Sequence, residues 1–220
     1  MNIGVLGTGT VGETIATALI ENGHIVRMGS RTAGNDKAKA WVKKSKKNAS
    51  EGSFNDAASF GDLLFLCLNG GFALDAVKSV DPENVRKKIV VDVTNPLDFT
   101  KGMPPRILEG LGNSNSLGEE IQRAWPNASV VKALNTLTAK LMVEPKLVNH
   151  GDHSLFICGN DADAKNKVKH FFVDSFGWKP ENLIDLGGIE SARGSEAYVP
   201  FWVSMMQALG TPMFNVKVVR

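Results

Sequence analysis

The sequence predicts an α/β fold: a doubly wound, mainly parallel sheet covered by helices on both faces, with a small helical C-terminal extension. Three observations predict it. Short apolar runs rich in Val, Ile and Leu alternate with helix-patterned stretches along most of the 220 residues. Such alternation implies parallel pairing, because a parallel neighbour is reached through a crossover helix. A glycine-rich turn, GTGTVG, joins the first apolar run to the first helical one, and after the run NLIDL the chain changes to a helical pattern bearing Phe201, Trp202, Met205 and Met206. Residues 1–187 are therefore expected to form one sheet-based domain. Residues 188–220 form its extension and a candidate contact between two copies of the chain.

Strands are expected at Asn2–Leu6, His24–Met28, Asp62–Leu68, Lys88–Val93, Ala128–Leu134, His153–Gly159 and Asn182–Leu186, with a weak one near Gly52–Phe54. The segment VGETIATALIENG has helical apolar spacing and stops on Gly23. Further helices are expected at Lys37–Lys47, Gly70–Val80, Leu117–Trp125 and Asp161–Phe176, the last opening on an aspartate cap. Phe99–Ser116, rich in Gly, Pro, Asn and Ser, reads as a long excursion of the kind that borders a substrate site. The tail pattern is interrupted by Pro200, where a break or kink is expected.

Composition narrows the function. Apolar residues make up 43% and charged residues 22%, ordinary for a globular protein, and a net charge of +2 gives no argument for nucleic acid or an anionic membrane. Lys37, Lys39, Lys43, Lys44, Lys46 and Lys47 cluster in one segment and read as a solvated helix face. No apolar run approaches the ~20 residues of a membrane span. The chain starts on a strand, MNIGVLG, instead of a basic leader, so a cytoplasmic location is expected. Cys67 and Cys158 sit in the apolar runs LLFLCLN and SLFICGN and are expected to be reduced core residues.

In NIGVLGTGTVGETIATAL, Gly7, Gly9 and Gly12 follow a strand and open a helix, the context of a Rossmann-type dinucleotide turn. Gly7 permits the turn, Gly9 lets a diphosphate approach the backbone, and Gly12 lets helix pack on strand. Free N–H groups around Thr10–Gly12 suit the diphosphate. An NAD enzyme of this kind carries an acid near the end of the second strand for the ribose 2′-hydroxyl. RMGSRT has none. Arg31 can give several N–H donors to a 2′-phosphate, Ser30 a hydroxyl, and Lys37 a point charge, so the expected cofactor is NADP(H).

Taken with VVDVTNP, VVKALNT and FICGNDADAK, these stretches resemble the NADPH-dependent reductases of the deazaflavin (coenzyme F-420) type, related to the cytoplasmic domain of the six-transmembrane metalloreductases. The resemblance spans nearly the whole chain in motif order. It implies a Rossmann-type domain with a small C-terminal extension, a homodimer, and hydride transfer between NADP(H) and a deazaflavin or flavin-like second substrate. It places the 2′-phosphate at Thr8, Ser30, Arg31 and Lys37, and the diphosphate on the backbone of Gly9, Thr10 and Val11. Leu68, Asn69 and Gly70, with Asn95 and the stretch Asn135 to Ala139, would line the nicotinamide side. Gly70 and Gly71 in LNGGF are expected to leave that pocket open, and Asn95 and Asn135 to offer neutral amides to the acceptor.

Hydride transfer to a flavin-like ring needs two stacked rings and no nucleophile, and no catalytic triad is visible. His24, His150, His153 and His170 show no metal-ligand spacing. Glu190, Arg193 and Glu196 read as a solvated helix face. Hydroxyacid dehydrogenases and imine reductases share the glycine turn but resemble longer chains. The other reading left open is a non-catalytic NADP(H)-binding or sensing protein.

Overall fold

The computed structural model describes residues 1–45 and 47–219; Lys46, one of the clustered lysines, lies outside them. Along the chain run β1 (Asn2–Leu6), α1 (Thr10–Glu21), β2 (Ile25–Ser30), α2 (Asp36–Ser45), β3 (Ala49–Ser53) and α3 (Phe54–Phe60). Then come β4 (Leu63–Leu66), α4 (Gly70–Lys78), β5 (Ile89–Asp92), β6 (Leu97–Asp98), β7 (Arg106–Ile107) and α5 (Leu117–Ala124). The last are β8 (Ser129–Ala133), α6 (Ala139–Val143), β9 (Leu155–Cys158), α7 (Ala162–Phe176), β10 (Leu183–Asp185) and α8 (Ala192–Leu209).

One sheet carries the order β10-β9-β8-β5-β4-β1-β2-β3. Its stretch β3-β2-β1-β4-β5-β8 is parallel throughout, in the strand order of the doubly wound dinucleotide fold. The crossover direction reverses between β1 and β4, and the crevice there is where such sheets hold ligands. β9 joins β8 antiparallel, so the sheet is mainly and not wholly parallel.

Alternation along the strands sorts side chains between two cores. Ile3, Val5, Phe65, Val91 and Val131 pack with Leu19, Trp41, Leu141 and Phe172, while Leu6, Leu64, Leu66, Val90 and Val130 pack with Phe54, Val77, Ile121 and Trp125. Burial on both faces is why the central strands read as unbroken apolar runs. Cys67 and Cys158 are free and buried, and burial pushes both thiols up, that of Cys158 to about 12.

Local signals set the helix ends. Gly23 takes φ 83°, its N–H bonds Ile20 O, and the His24 N–H bonds Leu19 O, the paired closure of a glycine stop. Asp161 caps α7 by accepting from the Ala164 N–H at 3.0 Å. Two expectations are corrected. The strand expected near Gly52–Phe54 runs from Ala49 to Ser53, because Ser53 begins a helix, α3, that periodicity did not reveal. Its hydroxyl accepts from the Asp56 N–H at 3.1 Å while the Asp56 carboxylate accepts from the Ser53 N–H at 2.8 Å, a reciprocal cap. Of the break or kink expected at Pro200, the break is absent, since α8 is one helix from Ala192 to Leu209. Buried Val199 and Val203 on either side hold both halves against the domain and offset the lost N–H. Among the described residues, no helix is long and apolar enough to cross a membrane.

Candidate functional site

Leu6 stands opposite Gly29 on β2 and Leu66 on β4, which brings the carboxyl ends of the three strands level. Beyond them the three glycines of the first turn have three different surroundings. Gly7 has φ 130°, and a Cβ there would lie 2.2 Å from the Cys67 carbonyl oxygen. A Cβ on Gly12 would lie 2.2 Å from the Gly7 carbonyl oxygen, so α1 packs against the turn at backbone contact. A Cβ on Gly9 would meet nothing within 4 Å. Gly7 and Gly12 are therefore demanded by the protein itself, whereas the space before Gly9 is left for something else. Gly9 is also the N-cap of α1 and forms no side-chain cap, which leaves the first-turn N–H groups at Thr10, Val11 and Gly12 for an anion.

A cleft of about 710 Å³ opens from this turn between β1, β2 and β4, lined by Gly7, Thr8, Ser30, Arg31, Leu68 and Asn69. Arg31 is exposed, and among the described residues it makes no ion pair. The loop that carries it is shaped by a carboxylate on the next strand, since Glu51 accepts from the Gly34 N–H at 2.9 Å. Two expected contacts come out differently. The Ser30 hydroxyl is buried and donates to Thr32 O at 2.7 Å, so it shapes the arginine loop instead of facing the cleft as a free donor. Lys37 is exposed in the first turn of α2, and the cleft is lined there by Asn35, which caps that turn. Phe54, Phe72, Asp75 and Ser79 also line the cleft and were missed by sequence reasoning. Phe54 and Phe72 are signalled only by the strand-end positions they follow.

The ends of β4, β5 and β8 form the other side. Asn69 caps α4 by accepting from the Gly71 N–H at 2.9 Å. The missing side chain of Gly70 makes room for backbone, since a Cβ there would lie 2.0 Å from the Asn95 carbonyl oxygen. Gly71 is exposed, with only Asn69 Oδ1 at 3.3 Å from the place of a Cβ. The amides of Asn95 and Asn135 are also less free than expected. Asn135 Nδ2 donates to Asn95 Oδ1 at 2.9 Å and to Ser195 O at 3.1 Å, and Asn95 Nδ2 donates to Asn135 O at 2.8 Å. They tie two turns to α8. Ala139, half-buried, opens α6. A second cleft of about 610 Å³ lies on the other flank of α4, lined by Gly70, Gly71 and Leu74 and by Leu108–Leu111 of the long excursion.

The solvated face expected for Arg193 and Glu196 is not what forms. Glu196 is 0% exposed and pairs with the buried Lys132 at 2.7 Å. Arg193 grips Glu119 with two donors, and its hydrogen bonds hold the Glu119 carboxyl below the usual carboxylate range. The helix pattern around Pro200 gave no sign that its first turns would be covered by α5. Among the described residues, no group of three or more His, Cys, Asp and Glu side chains could hold a metal ion.

Known proteins with this arrangement decide its class. A model of the coenzyme F420-dependent NADP oxidoreductase family matches residues 2–96. The F420-dependent NADP reductase of Methanocaldococcus jannaschii is 30% identical over 93% of this chain and 92% of its own. The chain belongs to the coenzyme F420-dependent NADP oxidoreductase family. A crystal structure from Arthrobacter sp. FB24, described as a candidate member of the F420-dependent NADP reductases, superposes with a TM-score of 0.91 at 42% identity, covering 100% of both chains. The metalloreductase STEAP3 of Rattus norvegicus is 29% identical over 94% of this chain but only 39% of its own length. This member of the family is thus an NADP-dependent oxidoreductase with a Rossmann-type core.

Proposed function

We propose that the protein transfers hydride from NADPH to a flavin or deazaflavin ring, with the cofactor lying along the carboxyl edge of the sheet from Arg31 to Asn135. The fit of the nucleotide rests on two features. Open space stands before the bare backbone of Gly9, and an exposed arginine occupies the region where an NAD enzyme has its acid. Thr8 and Arg31 hold the 2′-phosphate, Gly9 to Gly12 the diphosphate, and Leu68 to Gly70, Asn95 and Asn135 to Ala139 the nicotinamide half. When bound, NADPH supplies the hydride, and the protein's part is to hold two flat rings at reaction distance.

One observation carries the nature of the acceptor. A small carboxylic acid needs a free cation, yet the cations on β8, α6 and α8 each have a carboxylate partner. Lys132 pairs with Asp92 and Glu196, Lys140 with Glu144, and Arg193 with Glu119. What remains at the ends of β5 and β8 is the neutral amide wall of Asn95 and Asn135, which suits a flat heteroaromatic ring, while the second cleft beyond exposed Gly71 is rimmed by Asp75, Glu109 and Glu120 with the single lysine Lys78. The relative from M. jannaschii, named for F420, supports the same class. That second cleft also favours turnover over a sensing role without an acceptor. The exposed face of α8, with Phe201 and Leu209, supports a homodimer through residues 188–220, which sedimentation measures directly.

The deciding experiment is a screen of NADPH oxidation against coenzyme F-420, riboflavin, FMN and simple keto acids. Turnover with one of the ring acceptors and none with keto acids is expected. Tight NADPH binding with no acceptor at all would favour a sensor, and turnover with keto acids alone would make this a dehydrogenase.

A further inference from the structure

The most densely charged point of the interior lies directly under the nicotinamide wall. Leu6, Leu66, Asp92 and Lys132 stand in one row across β1, β4, β5 and β8. The row begins with two leucines and then continues with a carboxylate and an ammonium, both buried. Taking such a pair out of water gains little over packed apolar side chains, so stability alone does not account for it. Its bonds do. Lys132 Nζ donates to Asp92 Oδ2 at 3.0 Å and to Thr94 O at 2.6 Å, and lies 2.7 Å from Glu196 Oε1 on α8. Asp92 Oδ1 accepts from the Thr94 N–H at 2.9 Å and from its hydroxyl at 2.6 Å. Glu196 accepts from the Leu117 N–H at 2.9 Å and the Gly118 N–H at 3.0 Å, at the positive end of α5. Burial opposes the charge on Lys132, but the two carboxylates outweigh it and hold the ammonium above its usual range.

What the cluster grips is the turn after β5. Thr94 is held through its N–H, its hydroxyl and its carbonyl. The next residue, Asn95, exchanges bonds with Asn135 and lies against Gly70. Ser195, the neighbour of Glu196, takes the other Asn135 hydrogen. Two consecutive residues of α8 thus reach both turns that form the wall.

We propose that Glu196 is a positioning residue for the nicotinamide half of the cofactor. Through Lys132 and Asp92 it sets the Thr94–Asn95 turn, and it makes the C-terminal helix part of the cofactor wall without touching the cofactor. This rests on the reading that the nicotinamide lies against Asn95 and Asn135.

Glu196→Gln tests it, since the amide keeps the shape and one oxygen for α5 while removing the charge facing Lys132. NADP⁺ and 2′-phospho-ADP-ribose, the same molecule without its nicotinamide, are titrated into both proteins. The variant is expected to lose about tenfold in NADP⁺ affinity and less than about twofold for the truncated ligand. Parallel loss of both, no loss of either, or equal binding of the two ligands to the unmodified protein overturns the proposal. Should Glu196→Gln fail to fold, Thr94→Val, which removes one hydroxyl of the network and no charge, must show the same split. Neither ligand requires turnover, so a failed acceptor screen sinks the proposed reaction and leaves this titration decisive.

Discussion

The two ends of the sheet's carboxyl edge are built in opposite ways. At the β1–β2 end the binding surface proposed for the cofactor is backbone from one short stretch, Gly7 to Gly12, and a single arginine on the next turn. At the β5–β8 end the wall is held by residues far apart in sequence, such as the Asn135 amide bonded to Asn95 across 40 positions and to Ser195 across 60. The difference follows from what each end must do. A diphosphate is recognised by N–H groups and partial charge, which a turn and a helix start supply locally. A flat ring must be set at a distance and an angle, and only packing between separate segments fixes those.

The largest expected effect would break the local end. Gly12→Val puts side chain into backbone 2.2 Å away and should cost about 3 kcal/mol or more in stability, read by denaturant unfolding. Gly9→Val meets no atom of the protein, so it should retain the thermal midpoint and far-ultraviolet circular dichroism while NADPH affinity falls more than about 100-fold. Normal NADPH binding by Gly9→Val would mean that GTGTVG is not the phosphate turn. Next comes Arg31→Ala. A charge-assisted contact contributes about 1.5–3 kcal/mol, so NADPH should bind roughly 10- to 150-fold more weakly with NADH little changed. Equal affinities for both nucleotides in the unmodified protein would remove the role given to this arginine.

At the other end, Gly71→Trp fills exposed space without a backbone clash. It should slow hydride transfer by about tenfold, followed by stopped-flow absorbance of the nicotinamide, with NADPH affinity changing far less. An equal loss in both would place the ring elsewhere. The smallest effect is in acid. The Arg193 bond holds the Glu119 carboxyl below its ordinary value of 4.5. A carboxylate with a lowered folded value stabilises fully above the ordinary one, and that contribution is withdrawn as pH falls through the lowered one. Stability should therefore drop below about pH 4.5, and less steeply in Arg193→Gln.

Much of the frame was readable from the residues alone, where a signal is contained in a few neighbours. Gly23 stops α1, Asp161 starts α7, and the apolar runs fall on the strands to within one or two positions, apart from the edge strand β3. The start of α3 was readable as well, in the Ser53-x-x-Asp56 spacing, but its seven residues are too few to show a helical period. Pro200 does not end α8 because its local cost is outweighed by burial on both sides of it, which no window of sequence contains.

By itself the sequence determined the strand order's local units, the glycine turn and the absence of an acid after β2, hence a nucleotide with a 2′-phosphate. Each of these is a property of consecutive backbone or of one side chain at a known distance from a turn. Only the tertiary structure decided that Glu196 is buried, that Asn95 and Asn135 spend their amides on each other, and that the space at Gly70 is filled. Those outcomes depend on which distant groups share one desolvated region. There every donor needs an acceptor, and the partner is chosen by packing, not by spacing along the chain.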